Sequence, residues 1–264
     1  MSCRPLEVEA FAKINLTLEV YGVRPDGYHA LRSVVLPISL HDTLLIEESS
    51  SLATDTGYED DLILKAARLL APGRGAFVRV AKRIPAGGGL GGGSADAAAA
   101  LRGLDRFWNL GKDEAELMEI AASVGSDVPA LLAGKPCWME GRGEKVRPLS
   151  KCEMEAIGLP FPLVVANPGV ASSTAEVYRN CKCRLDFPSE KEYNIQPIND
   201  LEAAAIRLHP EIGELKALMG EGAMMSGSGS CVFKRVRDEA EGASLASGLR
   251  ARGFWAEIAH TIVR

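Results

Sequence analysis

The run Ile84-Pro85-Ala86-Gly87-Gly88-Gly89-Leu90-Gly91-Gly92-Gly93-Ser94-Ala95-Asp96 carries the clearest chemistry in the chain. Six of the seven positions from Gly87 to Gly93 are glycine. Lacking Cβ atoms, they let backbone N–H groups approach a bulky anion and adopt φ > 0. A strand is expected just before this run, over Ala76–Arg83. An alanine-rich helix is expected just after it, over Ala95–Trp108. The first N–H groups of a helix are unpaired, and its dipole favours negative charge there. Strand, loop and helix start together form a phosphate cradle. A flexible linker would more readily mix glycine with serine and would not sit between these two elements.

Known phosphate loops narrow the choice. A P-loop needs Lys where Ser94 stands, although Gly88 and Gly93 have its spacing. The dinucleotide fingerprint fits Gly87, Gly89 and Gly92, but glycine-dense text produces that spacing easily. No clean strand ending in an acidic residue follows it. A dinucleotide-binding oxidoreductase is therefore the competing class, and a non-catalytic nucleotide-binding module is a further alternative.

Other residues could join the loop in a site. Lys13 and Asn15 share one face of an alternating strand, with Ala12, Ile14, Leu16, Leu18 and Val20 on the other. By composition such a lysine faces solvent. Asp127 stands before Val128-Pro129, where an N-cap is equally natural. Tyr28 and His29 follow the turn Arg24-Pro25-Asp26-Gly27. Ser226-Gly227-Ser228-Gly229 reads either as a second backbone cradle or as a simple β-turn.

The elements that must position these residues alternate irregularly. Strands are expected over Ser33–Leu40, Thr43–Glu48, Cys137–Glu140, Leu163–Ala166, Cys231–Val236 and Trp255–Ile262. Helices are expected over Asp61–Leu70, Glu114–Ser123, Val128–Ala133, Thr174–Arg179, Asp200–Leu208, Ile212–Met219 and Asp238–Arg250. Strands in runs without intervening helices indicate an α+β chain. The pattern weakens around Ser150–Pro162, which sets a division into residues 1–155 and 156–264. Lys182–Gln196 is polar and irregular, as expected of a surface loop.

Composition excludes several classes. The 264 residues carry 30 Lys and Arg against 35 Asp and Glu, a formal charge of −5 with no basic block. Nucleic acid is therefore a disfavoured partner. No apolar run is long enough to span a bilayer, and the opening residues lack a signal-peptide core. The six cysteines are scattered apart from Cys181 and Cys183, which indicates reduced thiols and a cytoplasmic location. No metal ligand set is assigned.

The loop from Pro85 to Ser94 resembles the central motif of the GHMP kinase superfamily. Ala12-Lys13-Ile14-Asn15-Leu16 and Arg24-Pro25-Asp26-Gly27-Tyr28-His29 resemble the opening of a branch that acts on a cytidine-diphosphate alcohol. Gly125-Ser126-Asp127-Val128-Pro129, Gly141-Arg142-Gly143-Glu144, Asn167-Pro168-Gly169, Asn199-Asp200-Leu201-Glu202 and Ser226-Gly227-Ser228-Gly229 extend the match in order along nearly the whole chain. A kinase for another small alcohol of the superfamily is the alternative within it.

The resemblance implies a two-domain α+β GHMP kinase fold, with an N-terminal domain like domain 2 of ribosomal protein S5, a ferredoxin-like C-terminal domain and a site in the cleft. It implies transfer of the γ-phosphoryl group of ATP, with Mg²⁺, to the 2-hydroxyl of a methylerythritol unit in the non-mevalonate isoprenoid precursor pathway. Carried over residue by residue, Lys13 and Asp127 are catalytic, with Asp127 the general base. Pro85, Ala86, Gly87, Gly88, Gly89, Leu90, Gly91, Gly92, Gly93, Ser94 and Ala95 hold ATP. Asn15, Tyr28, His29, Tyr178, Ser226 and Gly227 bind the cytidine substrate, the aromatic rings stacking and His29 reading the base. Two departures stand out. Ala95 occupies the place of a second serine, and Cys181–Gln196 matches poorly.

Overall fold

Two long strands open the chain, β1 (Leu6–Val23) and β2 (His29–Glu47), paired antiparallel with register shifts between Phe11 and Lys13, Asn15 and Thr17, and Val20 and Val23. The computed structural model describes residues 4–184 and 195–263. Where the sequence suggests two strands, Ser33–Leu40 and Thr43–Glu48, the chain runs straight through as β2. Its first half pairs with one neighbour and its second half with another.

After β3 (Leu52–Thr54) comes α1 (Leu62–Leu70), whose N-cap Asp61 accepts from the Ile63 and Leu64 amides. β4 (Ala76–Ala81) leads through the glycine loop to α2 (Gly92–Phe107), then α3 (Glu114–Val124) and α4 (Val128–Ala133). β5 (Cys137–Gly141) and β6 (Lys145–Pro148) form a hairpin. These strands make a sheet ordered β3-β4-β2-β1, with β5 and β6 continuing from β2. α2 packs on β1 and β2 and is flanked by α1 and α4.

The stretch in which the sequence pattern weakens contains α5 (Lys151–Ile157), started by a capping box of Ser150 and Glu153. Then follow β7 (Pro162–Asn167), α6 (Thr174–Asn180), β8 (Ile198–Asn199), α7 (Glu202–Leu208), α8 (Pro210–Met219), β9 (Met224–Met225), β10 (Val232–Arg235), α9 (Glu239–Arg250) and β11 (Trp255–His260). β11-β7-β10-β9 is an antiparallel sheet covered by α9. β8 instead adds to the first sheet, parallel to β1 at Thr17 and Leu18. Most of the loop expected over Lys182–Gln196 lies outside the described residues, as does Cys3; the other five cysteines are free thiols.

Strict alternation on β1 predicts one wet face, and the structure corrects this. Lys13, Asn15 and Thr17 are as buried as Ala12 and Ile14. β1 lies inside the sheet between β2 and β8, and the Ser226–Gly229 turn closes over its polar face.

Candidate active site

A cavity of about 910 Å³ opens against the glycine loop. Every residue from Pro85 to Ser94 lines it, together with Lys13, Asn15, Tyr28, His29, Asp127, Tyr178 and Gly227. Two residues of the expected set stand away from it. Ala95 is buried in the helix packing, and Ser226 is fully buried, its hydroxyl donating to the Gly89 carbonyl at 3.0 Å and accepting from the Asn15 amide at 3.3 Å.

The wiring of the loop explains its glycines. Several of its carbonyls are turned into the protein: Gly87 O accepts from Ser172 N and Ser230 N, Gly88 O from Cys231 N, and Leu90 O from Lys13 N. Among the described residues no acceptor takes the amides of Gly87 to Ser94, so this backbone offers a row of donors. α2 begins at Gly92, three residues before Ala95, the start that propensity favours, so Gly92, Gly93 and Ser94 form its first turn. Gly91 is the N-cap at φ +71, a left-handed conformation that L side chains resist. At Gly89 a Cβ would strike the Ser226–Gly229 backbone. The second turn is thus the wall against which the first loop packs.

Lys13 sits beneath the cradle, 3% exposed. Its Nζ donates to Asn15 Oδ1 at 2.5 Å and lies 3.5 Å from Asp127 Oδ2. Asn15 in turn donates to Ser33 Oγ at 2.7 Å, which fixes the amide's orientation. Asp127 occupies the N-cap position of α4, yet its side chain makes no capping hydrogen bond. The carboxylate is directed to Lys13 instead, with a third of its side-chain surface open to the cavity. A lysine ammonium, a carboxylate and a row of amide donors in one cavity suit the handling of a hydroxyl and a phosphoryl group.

Aromatic groups form another part of the wall. The His29 and Tyr178 rings lie 5.2 Å apart at 37°, and Tyr28 is 51% exposed with the Arg142 guanidinium 5.3 Å above its ring. Burial, followed by the charge of Asp127, holds the Tyr178 phenol protonated well above its ordinary range. The turn carrying Tyr28 is tightly braced. Arg24 N donates to Tyr28 O at 2.7 Å, Tyr28 N to Asp26 Oδ1 at 3.2 Å, and Arg24 pairs with both Asp26 and Glu144. Glu144 also accepts from the Arg142 amide at 2.6 Å. The two motifs Arg24–Gly27 and Gly141–Glu144 therefore hold one another in place.

Residue-by-residue reading missed a second charged group on the cavity. Lys82 Nζ donates to Asp42 Oδ2 at 2.5 Å and to Asp96 Oδ2 at 2.7 Å. Lys82 and Asp96 both line the cavity. Asp42, Lys82 and Asp96 share no local motif, so only the fold brings them together. Arg142 was legible as part of a motif, but nothing in the sequence indicated that it covers Tyr28.

Residues 61–135 match the GHMP kinases N terminal domain and residues 190–253 the GHMP kinases C terminal. A 4-diphosphocytidyl-2-C-methyl-D-erythritol kinase of Symbiobacterium thermophilum is 39% identical over 98% of this chain and all of its own length. One of Alcanivorax borkumensis is 38% identical over 91% of this chain and 85% of its own. Among solved structures, a 4-(cytidine 5'-diphospho)-2C-methyl-D-erythritol kinase superposes with a TM-score of 0.81 at 35% identity, covering 97% of this chain and 98% of that one. The mevalonate kinase of Methanococcus jannaschii shares the fold at a TM-score of 0.67 and 15% identity, over 99% of each chain. With near-full-length identity approaching two-fifths and both family halves matched in order, this chain belongs to the 4-diphosphocytidyl-2-C-methyl-D-erythritol kinase family of GHMP kinases.

Proposed function

We propose that the protein transfers the γ-phosphoryl group of ATP to the 2-hydroxyl of 4-diphosphocytidyl-2-C-methyl-D-erythritol, giving the 2-phosphate and ADP. The observation that carries this reading is the pairing of buried Lys13 with the partly open Asp127, 3.5 Å apart, on the same cavity as the unpaired loop amides and the Tyr28, His29 and Tyr178 rings. The amides of Gly87 to Ser94 bind the ATP phosphates. Asp127 accepts the proton of the acceptor hydroxyl as its oxygen bonds to the γ-phosphorus and the bond to the β–γ bridging oxygen breaks. Lys13 stabilises negative charge on the attacking oxygen, and Asn15 orients the ammonium. Tyr28 and Tyr178 stack on cytosine and His29 hydrogen-bonds its edge, with Gly227 on the substrate side.

Among the described residues no cluster of three or more His, Cys, Asp or Glu could hold a metal. Mg²⁺ would arrive on the nucleotide phosphates, with the hydroxyl of Ser94, which lines the cavity, as a protein oxygen for it. The ion would neutralise phosphate charge. We place the domain division at residues 155 and 156: the first sheet draws mainly on strands before residue 149 and the second on strands after 161. No described helix is long and apolar enough to cross a membrane. With five free thiols, this favours a cytoplasmic enzyme.

A coupled ADP-release assay with Mg·ATP tests the reading, with homoserine and mevalonate beside the cytidine compound. Turnover with the cytidine compound alone is expected. Turnover with homoserine or mevalonate but not with it would sink the assignment.

A further inference from the structure

In the function proposed above, a diphosphate links cytosine to the reacting alcohol. Its negative charges must lie between the Tyr28–His29–Tyr178 end of the cavity and the Lys13–Asp127 end. The turn between β5 and β6 reaches both ends. Gly143 packs so closely on the backbone before Asp127 that a Cβ there would lie 2.3 Å from the Ser126 carbonyl oxygen. Its φ of +126 is likewise one that L side chains resist. Arg142, one residue earlier, lines the cavity and sets its guanidinium 5.3 Å from the Tyr28 ring. The turn's backbone is thus held beside Asp127 while its charge stands beside the aromatic end.

The guanidinium is lightly used. One nitrogen donates to the Ala122 carbonyl at 3.2 Å, near the end of α3. Among the described residues its other N–H groups have no acceptor. The carboxylates two residues from Tyr28 and from Arg142, those of Asp26 and Glu144, are both paired with Arg24, and neither lines the cavity. Other cations of the lining are committed. Lys13 is held by Asn15 and Asp127, and Lys82 by Asp42 and Asp96. Arg179 is exposed and turns its Nε to the Ala175 carbonyl of its own helix at 3.2 Å.

We propose that Arg142 is a specificity residue that holds the diphosphate of the cytidine substrate, its guanidinium edge on the phosphate oxygens and its face against Tyr28. The idea rests on the cytidine reading above and deepens it. A planar cation can stack on an aromatic ring by its face and still donate in its plane, which an ammonium cannot do. Contact with Tyr28 and the bond to Ala122 hold the fork in place before the ligand arrives, so little side-chain freedom is lost on binding. Base and diphosphate are then read by different residues, the base by His29 and the phosphates by Arg142.

The test is calorimetric titration with cytidine and with cytidine diphosphate, with Mg·ADP held saturating so that the glycine loop is occupied. The wild type is expected to bind the diphosphate more tightly than the nucleoside. Arg142→Met, which keeps the bulk and loses the charge, should weaken the diphosphate about tenfold or more and cytidine by no more than about threefold. In turnover the same variant should raise KM for the cytidine substrate about tenfold and leave kcat and KM for ATP within about threefold, a split that a general loss of structure would not give. Arg142→Gln, which keeps a donor for Ala122, makes the same comparison should Arg142→Met fail to fold. Equal losses for cytidine and its diphosphate would make Arg142 only a support for Tyr28 and overturn the proposal. So would a selective loss from Arg179→Gln with none from Arg142→Met, or a wild type that binds the two ligands equally. A wild type that binds neither removes the cytidine reading itself, and this proposal with it.

Discussion

Two lysine–aspartate groups face the same cavity and are built in opposite ways. Lys13 and Asp127 meet at 3.5 Å, beyond an ordinary hydrogen bond, and the carboxylate stays a third open. Lys82 is gripped at 2.5 and 2.7 Å by two carboxylates, one of which also gathers two backbone amides of the segment entering the glycine loop. A loose contact leaves Asp127 with lone pairs for an incoming hydroxyl. The tight one organises the approach to the cradle. On the proposed assignment, a short ion pair on a cavity wall is no better a marker of the reacting centre than a long one. What separates the two is which carboxylate keeps unused acceptor capacity open to the cavity.

The largest expected effect breaks the first group. Asp127→Asn should lower kcat about a thousandfold while ATP affinity and melting temperature barely change, since its side chain makes no cap. Single-turnover kinetics beside a thermal melt would check this. A variant that unfolds, or turns over normally, would make Asp127 a structural residue.

Breaking the second group should show in stability first. Asp42→Ala strands two amides and an ammonium and should cost about 3–5 kcal/mol, roughly a ten-degree drop in Tm. A shift of only a degree or two would mean that Lys82 and the entering backbone find water as readily as they found Asp42.

The smallest of these effects sharpens the contrast between the ends of the site. His29→Ala should raise KM for the cytidine substrate about tenfold through a lost hydrogen bond and leave KM for ATP unchanged. An equal rise in both would remove His29 from base recognition.

Local physics made much of this legible. Helices α1, α3 and α4 announced themselves through periodicity and caps, the last with the bounds expected. The glycine loop was visible as a loop because six glycines cannot be explained by propensity. α5 escaped because its weak apolar pattern hid a capping box that Ser150 and Glu153 did advertise. α2 was expected to start at Ala95 because glycine is a poor helix former. It starts at Gly92 because a left-handed Gly91 can cap it there.

By itself the sequence determined the class of chemistry: a glycine-rich anion cradle between strand and helix, an α+β chain, and ordered motifs shared with one kinase family. Tertiary structure alone decided what each charge does. Lys13 is buried because β8 and the Ser226–Gly229 turn, some 200 residues away in sequence, close over its strand. Asp127 is turned from its helix to a lysine on another element. Asp42, Lys82 and Asp96 become one electrostatic unit only where β2, the end of β4 and α2 converge. Hydrogen bonds and propensities act over a few residues and can be read along the chain. Burial and charge pairing depend on which distant segments meet, and those meetings are settled by the packed core.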